Sequence, residues 1–128
     1  MPLNIKWFDD HTEIVCTGHV SFDELRAIGA AHYGDGRFDR VNYVLVDFRH
    51  ANLAEITLDK PTVLASIDST AVVYNPNIKI AFVIENEYQR QLCEKYIFQS
   101  TRFQSPWCHR IFSDRASAKA WCEAGKDA

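Results

Sequence analysis

Apolar and polar positions along the chain change period repeatedly, and each change marks an element. Residues 3–8 alternate like a half-buried strand, Asp9 and Asp10 supply turn chemistry, and residues 12–18 alternate again with Ile14 and Cys16 on one face. This predicts an opening β-hairpin. Ser21-Phe22-Asp23-Glu24 then forms a capping box, after which Phe22, Leu25, Ile28 and His32 or Tyr33 recur at helical spacing until Gly34 and Gly36. Tyr43-Val44-Leu45-Val46 is a continuous apolar run ending in Asp47, the pattern of a central strand covered on both faces, followed by a long polar loop.

From about Asp59 the period turns helical again, with Pro61 in the first turn and Leu64, Ile67, Ala71 and Tyr74 on one face, until Asn75-Pro76-Asn77 ends it. Residues 78–84 read as a second central strand, and Asn86 caps a third helix whose Tyr88, Leu92 and Tyr96 recur every four residues. Residues 107–112 read as a last strand. Ser113 or Asp114 caps a final helix with Ala118, Trp121 and Cys122 facing inward. The order is ββαβαβαβα: an α/β fold with a mixed sheet of about five strands, an antiparallel N-terminal edge hairpin and about four helices. Residues 1–124 are expected to form one domain and residues 125–128 a frayed tail.

Composition narrows the function. The chain of 128 residues is 47% apolar with a net charge of −3, and its basic residues are scattered, so nucleic acid is not an expected partner. Apolar runs are far shorter than the ~20 residues of a membrane span, and no basic-then-apolar leader opens the chain, which points to a cytoplasmic protein. Cys16, Cys93, Cys108 and Cys122 form no C-x-x-C pair and read as reduced, mostly buried thiols.

Several stretches together resemble the SpoIIAA-like branch of the STAS superfamily. They are Gly18-His19-Val20-Ser21, Arg37-Phe38-Asp39, Tyr43-Val44-Leu45-Val46-Asp47-Phe48-Arg49, Asn75-Pro76-Asn77-Ile78-Lys79-Ile80-Ala81 and Ala120-Trp121. The resemblance implies a small bacterial STAS-like domain with the order of elements given above. Its relatives serve as anti-anti-sigma factors, tails of anion transporters and parts of stress-sensing complexes, and some are compared with the CRAL-TRIO lipid-exchange fold. Regulatory members carry a phosphorylated Asp-Ser-Ser stretch at the second helix, which this chain lacks. Thr57 is the only hydroxyl residue between Asp47 and the helix start near Asp59, and reads as a turn or capping residue.

Candidate chemistry follows from position. Asp47, Arg49, His50 and Asn52 are expected just beyond a central strand and ahead of a helix N-terminus, where α/β sheets bind anions. The competing reading is an Asp47–Arg49 contact that merely orders the loop. Phe98, Phe103 and Trp107 are candidates for an apolar pocket or partner surface, against a plain role as core filling. His11 and His19 near Asp9 and Asp10 invite a metal, but their spacing fixes no geometry, so neither a metal nor a cofactor is expected. Cys108 and His109 adjoin on a strand and face opposite ways, and no Gly-x-Ser-x-Gly elbow is present. The leading expectation is a non-enzymatic regulatory or protein-interaction module, with a homodimer expected because an open sheet leaves an edge. A carrier of a small lipid or other apolar ligand is the first alternative, and an enzyme with a site near Asp47 and His50 the second. An internal apolar cavity would favour the carrier.

Overall fold

The computed structural model describes residues 3–125. Five strands form one sheet in sequence order: β1 (Leu3–Trp7), β2 (His11–His19), β3 (Tyr43–Asn52), β4 (Lys79–Val83) and β5 (Cys108–Phe112). The hairpin β1–β2 is antiparallel, with Leu3 opposite Cys16 and Trp7 opposite Thr12; the remaining neighbours are parallel. Helices α1 (Phe22–Tyr33), α2 (Lys60–Ala71), α3 (Glu87–Arg102) and α4 (Arg115–Glu123) connect or follow the strands. The expected order and mixed sheet are therefore present. Of the tail expected at residues 125–128, residues 126–128 lie outside the described residues, while Gly125 accepts a hydrogen bond from Lys79 Nζ.

Helices α1, α3 and α4 begin where side chains occupy the free N–H groups of a first turn, whereas α2 starts at Lys60-Pro61 without a side-chain cap. Ser21 Oγ accepts from Glu24 N at 3.1 Å and Glu24 Oε1 accepts from Ser21 N at 2.9 Å, completing the expected capping box. Asn86 and Asp114 cap α3 and α4 in the same way, accepting from Gln89 N and Ser117 N. Between α1 and β3 a short 3-10 turn, Gly36–Arg40, buries Phe38 and was not marked by any period.

Two apolar clusters line the two faces of the sheet. On one face Ile14, Val44, Val46, Phe48, Ile80 and Phe82 pack against α1, α2 and α3. On the other, Tyr43, Leu45, Ala81 and Val83 pack against Ala118 and Cys122 of α4. Successive residues of β3 and β4 thus feed both clusters, which is why these strands read as unbroken apolar runs. Among the described residues no helix is long and apolar enough to cross a membrane.

Candidate functional site

The three-helix face is incompletely filled. Helix α1 fully buries one residue, His32, while Leu25, Ile28 and Tyr33 are half-buried. The space left between α1, α2, α3 and the sheet is a largely apolar cavity of about 130 Å³. Ile28, Leu64, Val46, Phe82 and Trp107 stand among its walls, and Gly29 of α1 contributes bare backbone.

One carboxyl enters this cavity. Asp68 of α2 lies four residues after Leu64, on the inward stripe of the helix, and lines the cavity with Tyr33 of α1 and Tyr96 of α3. Tyr96 Oη donates to Asp68 Oδ2 at 2.5 Å, and the Tyr33 phenol lies beside the same carboxyl. Burial pushes the Asp68 carboxyl up to about 6, and the two phenols hold it from going further. Burial together with the Asp68 charge raises both phenols well above their ordinary range, so they remain donors. His32 lines the same cavity and shares a 2.8 Å hydrogen bond with Thr12 Oγ1; burial lowers its pKa to about 4, leaving it neutral near pH 7.

The residues singled out around Asp47 lie elsewhere. Strand β3 continues to Asn52, so Asp47, Arg49, His50 and Asn52 belong to the strand and not to a loop beyond it. The extension is held by parallel pairing with the last residues of β2, Thr17 opposite His50 and His19 opposite Asn52. Helix α2 starts only at Lys60, so these residues do not sit at its N-terminus. Asp47 is 3% exposed and accepts from Arg49 N, Arg49 Nε and Arg49 Nη2 at 3.0 to 3.1 Å, and from Arg115 Nη1 at 3.2 Å. Arg115 also reaches buried Glu13, which faces His11 Nε2 at 3.3 Å. Burial raises the Glu13 and Asp47 carboxyls, and the arginine contacts outweigh it, so both fall below the ordinary range. His50 is exposed and makes no ion pair with Asp47, and Asn52 is engaged with Ala54 N at 3.0 Å. The cluster is an internally matched charge network beneath α4.

No family profile matches this chain, and no curated protein matches it. A solved structure is similar: an uncharacterized protein of the DUF3478 family, with a SpoIIAA-like fold, from Shewanella loihica PV-4. It aligns over 94% of this chain and 91% of its own, at 12% identity and a TM-score of 0.49. Its SpoIIAA-like fold is the one that the sequence resemblance names.

The aromatic candidates separate. Trp107 is 5% exposed, lines the cavity, and donates from Nε1 to Asn75 O at 2.7 Å, whereas Phe98 and Phe103 are 60% and 43% exposed and stand outside it. His11 and His19 occupy opposite ends of β2, roughly 26 Å apart at the usual strand rise, and His19 faces Glu55. Thr57 donates its hydroxyl to Asp59 in the turn before α2. Asp68 went unread in the sequence because only the apolar members of the inward stripe were followed; Ile67 beside it lines the cavity while 39% exposed, and Tyr74 lies beyond the helix end. The usable signal was the spacing Leu64, Asp68, Ala71, which puts a carboxylate on an otherwise apolar face.

Proposed function

We propose that this chain is a STAS-like binding module that takes a small, mainly apolar ligand into the cavity beneath α1 and α2. The cavity of about 130 Å³ carries the reading. Close-packed interiors leave few spaces of that size, so the space beside this core suits an occupant. It resembles in size the ~150 Å³ engineered cavities that bind benzene, and is too small for a whole lipid. The occupant is therefore ring-sized or a short chain, which narrows the carrier alternative.

The module acts by binding and not by catalysis. Cys93, the thiol on the cavity wall, is pushed by burial to about 12, so it offers no thiolate nucleophile near neutral pH. A partner-facing role accompanies binding, because Val63 and Ile67 lie one turn apart on α2 and are 41% and 39% exposed. The unpaired edges β1 and β5 suit a homodimer, and light scattering separates 14.7 kDa from twice that mass.

Native mass spectrometry of freshly purified protein, with toluene titration followed by thermal unfolding, tests the binding reading. A co-purified small molecule, or a toluene-dependent rise in Tm, is expected. A bare protein whose Tm ignores saturating toluene and other ring-sized probes refutes it.

A further inference from the structure

We infer that the ligand of this cavity is a small organic cation, an amine with a ring-sized apolar body, whose ammonium group sits against Asp68 among the rings of Tyr33, Phe38, Tyr96 and Trp107. This rests on the ligand-binding reading above and names the chemistry of its occupant.

The deciding feature is an unmatched charge. Among the described residues Asp68, partly buried on the cavity wall, takes part in no ion pair, whereas the fully buried carboxylates Glu13 and Asp47 both meet arginine. Buried carboxylates are normally paired, because an isolated one forfeits its hydration. A carboxylate has about four acceptor positions, and the Tyr96 hydroxyl uses one of them. What remains is room for a donor that also brings positive charge.

The surroundings fit the same group. Phe38 and Trp107 contact one another edge-on at 6.2 Å, and Tyr33 meets Phe38 at 5.0 Å, so aromatic surface adjoins the carboxyl. Ring faces attract ammonium groups, most strongly where water is excluded. His32 is neutral, and Arg26, the cation among the lining residues, lies exposed at the edge and faces Asp23 at 3.4 Å. A carboxylate ligand would be repelled by Asp68, and a pure hydrocarbon would leave it unmatched.

The pH dependence follows from the groups around Asp68. Tyr33, His32 and Arg26 face the cavity from α1, and Tyr96 and Cys93 from α3; His109 of β5 packs edge-on against Tyr96 at 5.4 Å. The phenols and Cys93 stay protonated near neutrality, and both histidines titrate at about 4. Between pH 5 and 7.5 the group that changes charge is Asp68, so amine affinity rises across that interval.

Calorimetric titration of the full chain with benzylamine, toluene and benzoate at pH 7.5 and pH 5 tests the inference. The expected result is benzylamine binding about tenfold tighter than toluene at pH 7.5, with benzoate weakest. The advantage shrinks at pH 5 and disappears in Asp68→Asn, while toluene binding persists in both. Toluene binding as tightly as benzylamine, or benzoate binding best, overturns the cationic ligand and leaves the apolar cavity reading standing. Failure of all three probes overturns both. Should Asp68→Asn not fold, the wild-type pH series decides: an amine preference that does not grow between pH 5 and 7.5 overturns the role of Asp68.

Discussion

Replacing Gly29 by Ala tests the cavity and the helix above it together. Gly29 lies within α1 and on the cavity wall, and a Cβ there meets only Tyr33 Cε2, at 3.8 Å, an ordinary contact. Alanine removes the conformational freedom of glycine in a helix interior, worth about 1 kcal/mol. The methyl also fills ~25 Å³ of empty space, which at about 24 cal/mol per Å³ returns roughly 0.6 kcal/mol. The variant should therefore be more stable by about 1.5 kcal/mol, a Tm rise of about 4–6 °C for a chain of this length. It should also bind toluene less tightly, because the occupant loses volume.

Urea unfolding, read at an unchanged m-value, measures the gain. Gly34→Ala is the control: a Cβ there meets Ala30 O at 3.0 Å, tight enough to cancel the propensity gain. An unchanged or lowered midpoint for Gly29→Ala refutes the reasoning, because the helix at residue 29 or the empty space beside it would then be absent. Equal stabilisation by both substitutions would assign the whole effect to helix propensity and none to the cavity.

Further outcomes follow from buried polar groups. Gln89 is 1% exposed, donates to Phe48 O at 2.9 Å and Ala51 O at 3.1 Å, and accepts from Glu85 N at 2.7 Å, so Gln89→Leu should cost about 3 kcal/mol in urea unfolding; a loss under about 1 kcal/mol refutes its role as the tie between β3 and α3. Arg115→Met leaves Glu13 and Asp47 short of a cation and should cost about 3 kcal/mol at pH 7, with less loss at pH 3, where both carboxyls gain protons; an equal loss at the two values refutes the charge argument. The lowered pKa of His32 makes its contribution present above about pH 6.5 and lost as pH falls through about 4, whereas the raised pKa of Asp68 makes its contribution present below about 3.8 and lost as pH rises through about 6. Asp68→Asn should therefore exceed the ligand-free wild type in stability at pH 7.5 by about 2 kcal/mol and lose that advantage by pH 4.5; a variant less stable at both values refutes the unmatched charge.

The order of elements was legible because each announces itself locally. The capping box at Ser21, the Asn86 and Asp114 caps and the two apolar runs of β3 and β4 depend on near neighbours in sequence. The extent of β3 was not legible: Phe48 to Asn52 read as polar loop, since the partner that makes them a strand is β2, some thirty residues earlier. Asp47 and Arg49 were visible as a pair, but Glu13 and Arg115 join them from opposite ends of the chain. Tyr33 and Tyr96 were read as apolar periodic positions, correctly for their rings, while the carboxyl beside them lay on a third helix. Periodicity assigns faces; it does not say which polar atoms on neighbouring faces will meet.

The two sides of the sheet handle charge differently. Beneath α4 two buried carboxylates meet two arginines and a histidine, and every partner lies within ordinary contact distance. Beneath α1 to α3 one carboxylate meets a phenol and no arginine, in a largely apolar chamber. If Asp68 served only packing, a leucine at this position of α2 would bury more apolar surface and would leave no desolvated charge. The carboxyl is therefore better explained by what it meets in the bound state than by what it contributes to the empty one. Because α1 sends a single fully buried residue into the core, the helix that covers the chamber is also weakly anchored, and a ligand at 100 times its Kd would add about 2.7 kcal/mol to the closed arrangement. On the proposed reading, the occupant that neutralises Asp68 also fixes the position of α1 over α2, whose Val63 is exposed and whose Ile67 lines the cavity edge.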